Sequence, residues 1–227
     1  MELLDDIPFH IAADEVLRRV HLAEADADIT QGARELVDQA RQVARPKAVY
    51  EVCYVENKRP DSVELAGITF TSRVLRVNLD QVERIFAYVG TCGTELTEIS
   101  APAGDMLLDY CLDIIKEMAL RAALGHLSEH LKAKYALGQT SSMNPGSLED
   151  WPITEQFKLF ELLGNVEELA GVRLTDSCLM IPPKSLSGII FPTEVRFESC
   201  QLCQRPNCPS RHAPYDPQIA KAYGIAQ

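Results

Sequence analysis

Three cysteines fall within nine positions near the C-terminus: Cys200, Cys203 and Cys208, in the run Glu198-Ser-Cys-Gln-Leu-Cys-Gln-Arg-Pro-Asn-Cys208. Two residues between the first pair let a backbone fold around one centre and turn its amides toward the sulfurs. Pro206, Pro209, Pro214 and Pro217 follow closely, and this density of proline excludes a regular helix or a central strand. The segment therefore reads as a loop wrapped around a bound group, with the three sulfurs converging. An iron–sulfur cluster takes thiolates and usually four ligands, so Cys178 or His212 is the candidate fourth. Zinc suits a Cys3His set of Cys200, Cys203, Cys208 and His212. A reduced, metal-free tail is the third reading.

The other chemistry-bearing residues are sparser. Cys53, Cys92 and Cys111 sit in apolar surroundings and read as small buried hydrophobes. His126 and His130 are spaced i, i+4, but the glutamate of an H-E-x-x-H motif is missing. Ser177, Ser185 and Ser187 have no neighbouring histidine, so a hydrolase triad is not indicated. There is no glycine-rich phosphate loop.

The elements that must position these residues follow from periodicity. Helical spacing covers 10–20 and about 30–44, where Arg45-Pro46 closes the second helix. Strands are expected over 48–55, in 64–70, and over 84–90. A brief helix is expected at 79–83 and another from near Thr94. Apolar residues at three- and four-residue steps from Leu107 to Leu127 predict one long helix reaching Tyr135, with Asp105 as its N-cap. Gly125 inside it predicts a close contact or a break. Residues 138–150 read as a loop, 155–163 and 165–170 as helices, and 177–180 and 185–191 as strands. The order predicts an α+β fold, with residues 1–197 as the main domain and 198–227 as a cysteine-rich tail.

Composition narrows the function. The chain has 227 residues and a net charge of −11, which argues against a nucleic-acid surface or an anionic membrane. No stretch approaches the roughly 18 apolar residues of a membrane span. The start Met-Glu-Leu-Leu-Asp-Asp lacks a signal-peptide pattern. A cytoplasmic location is the expectation, and there clustered cysteines point to metal or redox chemistry rather than disulfides.

Several segments carry a family resemblance. They are Glu15-Val-Leu-Arg18, Tyr88-Val-Gly-Thr-Cys-Gly93, Asp105 through Ala122, Asn144-Pro-Gly-Ser-Leu-Glu-Asp-Trp-Pro-Ile153, and Leu174-Thr-Asp-Ser-Cys-Leu-Met-Ile-Pro-Pro-Lys-Ser-Leu-Ser-Gly188. Together they resemble the reactivation domain of cobalamin-dependent methionine synthase and its stand-alone relatives. The resemblance implies a twisted antiparallel sheet with flanking helices and a corrinoid-binding protein or corrinoid-dependent methyltransferase as partner. It also implies a site that holds S-adenosylmethionine. Glu117, Asn144, Pro145, Gly146, Trp151, Lys184 and Ser185 are the site residues it implies, with Trp151 walling a cleft shared by 141–151 and 182–187. Two positions depart from the family. Ser142 stands where the family has an arginine, and Ser147 where it has a tyrosine. S-adenosylmethionine is therefore expected to bind weakly or not at all. Because corrinoid reactivation consumes a low-potential electron, the resemblance favours an iron–sulfur cluster over zinc, which has no redox chemistry.

Overall fold

The structure, a computed structural model, describes residues 1–22, 26–208 and 211–225. Pro209 lies outside the described residues. The chain opens with a short strand, β1 (Glu2–Leu4), then helices α1 (Ala13–Arg19) and α2 (Ala27–Val43). Three strands follow: β2 (Lys47–Arg59), β3 (Ser62–Leu65) and β4 (Ile68–Thr71). Next come α3 (Arg73–Asn78), β5 (Arg84–Thr91) and the long α4 (Met106–Tyr135). The remainder is β6 (Thr140–Met143), α5 (Gln156–Leu163), α6 (Val166–Ala170), β7 (Arg173–Leu174), β8 (Met180–Ile181), β9 (Ser185–Pro192) and α7 (Pro217–Ala222).

Among the described residues the main sheet has seven strands in the order β4-β3-β2-β5-β9-β6, with β1 also paired to β2. Every pair is antiparallel. The expected α+β architecture is met.

Alternation along the central strands divides the interior. Ile85, Ala87 and Val89 of β5, with Ile189 and Phe191 of β9, face one core that α3, α5 and α6 close. Phe86, Tyr88 and Ile190 face the other way, onto Ala123, Leu127 and Leu131 of α4. Such alternation is what a sheet covered on both faces needs. A third cluster joins α1 and α2 to the first half of α4, through Leu36, Val37, Cys111 and Ile115. Cys53, Cys92 and Cys111 are all buried, as their apolar surroundings indicate. Burial pushes the Cys53 thiol up to about 12 and the Cys92 thiol up to about 11, so both stay protonated and inert near neutrality.

The long helix forms as its sequence dictates. Asp105 Oδ1 accepts from the main-chain N–H groups of Leu107 and Leu108 (3.1 and 3.0 Å), satisfying two of the orphan donors of the first turn. Gly125 neither breaks the helix nor meets a neighbour: a Cβ built there has nothing within 4 Å. Gly125→Ala should therefore stabilise the protein by about 0.5–1 kcal/mol, a gain readable as a higher urea midpoint at unchanged slope.

Local expectations fail in four places. The brief helix lies at 73–78 rather than 79–83, because Ser72 caps it by accepting from Leu75 N–H (2.9 Å) and Val74 and Leu75 are its buried residues. The segment after Thr94 is only a 3-10 turn, Glu95–Thr97. Residues 177–180 are mostly a turn, with Cys178 in the left-handed region (φ 61°) between β7 and β8. Thr140–Met143 is an edge strand rather than loop, made by pairing with β9.

The tail also takes part in the core. Leu202 and Ala220 are buried beside Phe197, Phe197 stacks on Tyr223 at 5.5 Å between centroids, and Tyr223 donates to Asn78 Oδ1 (3.1 Å).

Candidate functional site

Between α4 and the tail lies a cleft of about 590 Å³. Its floor is the α4-facing side of the sheet at the β9–β6 edge: Tyr88, Leu186, Ile190, Ser142 and Asn144. Leu124 and Ser128 of α4, one helical turn apart, form one wall. The other wall comes from the returning chain: Arg196, Glu198, Cys200, Cys203, Arg205, Cys208 and His212.

The 144–147 loop is held at the rim by specific bonds. Asn144 Nδ2 donates to Tyr88 Oη and to the Ser187 carbonyl, both at 2.8 Å. Gly188 makes that approach possible, since a Cβ there would collide with the Asn144 amide and the Met143 carbonyl. Gly146 takes a positive φ of 82° and donates its N–H to the Trp151 carbonyl (2.7 Å). Burial pushes the Tyr88 phenol up to about 12. With its oxygen already accepting from Asn144, Tyr88 keeps a proton to donate toward the cleft it lines. Asn144→Ala should cost about 1–3 kcal/mol, because it strips a partner from a buried carbonyl and a buried hydroxyl. Urea unfolding checks this.

The expected juxtaposition of 141–151 with 182–187 is met at the Asn144–Ser187 bond, while β6 itself pairs with residues 189–192, and of 182–187 only Leu186 lines the cleft. Not every implied residue reaches the cleft. Trp151 does not wall it: the indole is 1% exposed, packed edge-on to Phe70 in the opposite core, because a large apolar ring gains more from burial than from a polar rim. Pro145 is buried within the loop and does not line the cleft. Ser185 is buried and donates to Thr91 Oγ1 (2.9 Å) or the Pro182 carbonyl (2.8 Å). Lys184 pairs with Asp113 (2.8 Å) and Glu117 with Arg121 (2.7 Å), and neither lines the cleft. His130 is taken by Tyr50 and Glu2 (both 3.1 Å), so it does not act with His126 as a metal pair.

Of the five proposed metal ligands, Cys200, Cys203, Cys208 and His212 all line this cleft. Cys178 does not; it sits on the β7–β8 turn. The three clustered thiols are free and half-buried, and Cys200 Sγ accepts from the main-chain N–H of His212 (3.4 Å). Among the described residues, no three His, Cys, Asp or Glu side chains form a ready-made ligand group. The three cysteines therefore border one wall of the cleft without forming the expected converged group among the described residues. Arg196 pairs with Glu198 (2.7 Å).

Tyr88 is the site residue that sequence reasoning overlooked. Its alternation on β5 puts it on the α4 face, but only the tertiary placement of Asn144 marks it as part of a site.

Residues 133–206 match the family model described as "Vitamin B12 dependent methionine synthase, activation domain". That range contains β6, the Asn144 loop, β9 and two of the three clustered cysteines, Cys200 and Cys203, and ends before Cys208. A solved structure of the MetH reactivation domain bound to AdoHcy superposes with a TM-score of 0.58 at 17% identity, covering 85% of this chain and 74% of that one. This chain has the reactivation-domain fold. No curated protein matches it. The chain leading to the cysteines meets β6, where the Phe197 N–H donates to Ser141 Oγ (2.8 Å), and the cysteines border the cleft together with Leu124 and Ser128 of α4. No helix among the described residues is long and apolar enough to cross a membrane.

Proposed function

We propose that this chain is an accessory component of a corrinoid-dependent methyltransferase system. It would dock on the corrinoid protein with the cleft between α4 and the tail over the cofactor, while the tail's thiols hold an iron–sulfur cluster for reductive activation. The observation that carries this reading is the shared cleft: Cys200, Cys203, Cys208 and His212 border the same space as Asn144 and Tyr88. The family match over 133–206 and the likeness to an AdoHcy-bound reactivation domain supply the corrinoid context.

The donor set fits a thiolate-bound group. Sulfur donors favour iron–sulfur clusters and zinc, and the His212 N–H already aimed at Cys200 would stabilise a charged sulfur. Cys200, Cys203 and Cys208 would hold the group, and when bound it would supply a low-potential electron. The chain's own residues would do the rest. Asn144 and Tyr88 orient whatever enters the cleft, and the tail narrows its access to water.

A second reading has its own support. His212, rather than Cys178, accompanies the cysteines, and a Cys3His set suits zinc. In that reading the chain is a docking cap without redox chemistry. Anaerobic purification followed by iron, sulfide and zinc analysis separates the two. A visible absorption that bleaches in air, with iron and sulfide present, supports the cluster. Colourless protein with stoichiometric zinc overturns it.

S-adenosylmethionine is a poor fit for this cleft as it stands. The resemblance places the ligand-holding arginine at Ser142, which lies exposed on the cleft floor. A charged hydrogen bond contributes roughly 1.5–3 kcal/mol, or about one to two decades in affinity. Ser142→Arg should therefore tighten S-adenosylmethionine or AdoHcy binding by about tenfold or more, read by calorimetry. Low-micromolar binding to the unmodified protein would overturn this reading.

A further inference from the structure

We propose that Arg211 is the positioning residue of the thiol loop, holding Cys200 and Cys203 toward the cleft by tying the loop's main chain together. Its guanidinium donates to four carbonyls. Nη1 reaches those of Cys200 (3.1 Å) and Ala213 (3.2 Å), and Nη2 reaches those of Cys203 (3.2 Å) and Arg205. Its own main-chain N–H donates to the Cys208 carbonyl (3.2 Å). All three cysteines are thus bonded through their backbones to this one residue.

The chemistry explains why an arginine is needed. Among the described residues the loop after the 3-10 turn at Ser199–Leu202 belongs to no sheet, so its carbonyls need donors from elsewhere. A guanidinium offers five N–H groups in one rigid plane. An ammonium offers three from a single point and cannot span carbonyls that range from residue 200 to residue 213. Arg211 makes no ion pair among the described residues, so its donors serve the backbone. The clamp also places the adjacent His212 N–H against Cys200 Sγ. A cation at the base of the loop further offsets the repulsion of thiolates gathering on a metal.

This inference rests on the reading that the tail holds a thiolate-bound group, and its test has two arms. In the first, reduced full-length protein is titrated anaerobically with Co²⁺, whose sulfur-to-metal absorption grows with the number of bound thiolates. Arg211→Gln and Arg211→Lys should both bind Co²⁺ roughly 10–100-fold more weakly, as when outer-shell partners of metal ligands are lost, and with less absorption per bound ion. Wild-type affinity and absorption in both variants would overturn the proposal. The second arm needs no metal. Iodoacetamide should modify Cys200 and Cys203 severalfold faster in Arg211→Gln, while Cys178, on a separate hairpin, keeps its rate. Unchanged rates at Cys200 and Cys203, or equal acceleration at all three, would overturn the clamp. If the unmodified protein takes up no Co²⁺ but the alkylation pattern appears, the metal-holding reading fails and the clamp stands.

Discussion

Trp151→Ala should destabilise the protein by about 3–5 kcal/mol, the range for removing a large buried aromatic side chain. The indole is among the largest fully buried side chains. It meets Phe70 edge-on at 6.4 Å and 76°, an arrangement that adds to its burial. A domain is typically stable by only 5–15 kcal/mol, so this one change should remove a large fraction of the total. Trp151→Phe should cost less than half as much. It keeps most of the apolar volume, and it removes an indole N–H that has no partner among the described residues. Trp151 is the chain's single tryptophan, so unfolding of the variants must be followed by circular dichroism. Equal losses for the two variants would show that the indole's polar end, rather than its volume, matters. The effect should extend to the cleft, because the Trp151 carbonyl accepts the Gly146 N–H and so anchors the loop that carries Asn144.

Cys203→Ala should abolish the visible absorption and reductive activity of a cluster-bearing protein and leave the fold intact. Cys203 is half-buried on the cleft wall, whereas the packing of this stretch comes from its neighbour Leu202, buried beside Phe197. Removing a sulfur there should therefore shift the thermal midpoint by no more than about 2–4 °C, which corresponds to about 1 kcal/mol in a chain of this size. Full unfolding of the variant would make the site structural and favour zinc. Retained metal and retained activity would move the functional centre to Asn144 and Tyr88.

The sequence is legible wherever one segment carries its own instruction. The α4 helix announces itself through Asp105 and three- and four-residue apolar steps, because capping and periodicity act within a few turns. Strands β2, β5 and β9 are readable because they are rich in Val, Ile, Tyr and Phe. The cysteine spacing likewise predicts a loop with metal-ligand character before any fold is known. What stayed hidden depends on partners far along the chain. Thr140-Ser-Ser-Met143 has no apolar alternation and becomes a strand only through β9, whose paired residues lie 46 to 52 positions later. Ser72 acts as a cap and also donates to Asp150, a contact across 78 positions.

The sequence by itself determined the types of the long elements, the α+β class, the net negative charge and the presence of a thiol-rich segment. These follow from short-range sterics, capping and the burial of apolar side chains. The tertiary structure alone decided where that segment goes and which residues meet there. It brings Cys200, Cys203, Cys208 and His212 to the cleft of Tyr88 and Asn144. It leaves Cys178 on its own hairpin, sends Trp151 into the opposite core and commits Lys184 and Glu117 to ion pairs. A side chain's role depends on which other elements compete for its face, and that competition is settled only when the sheet closes and the tail packs across its edge.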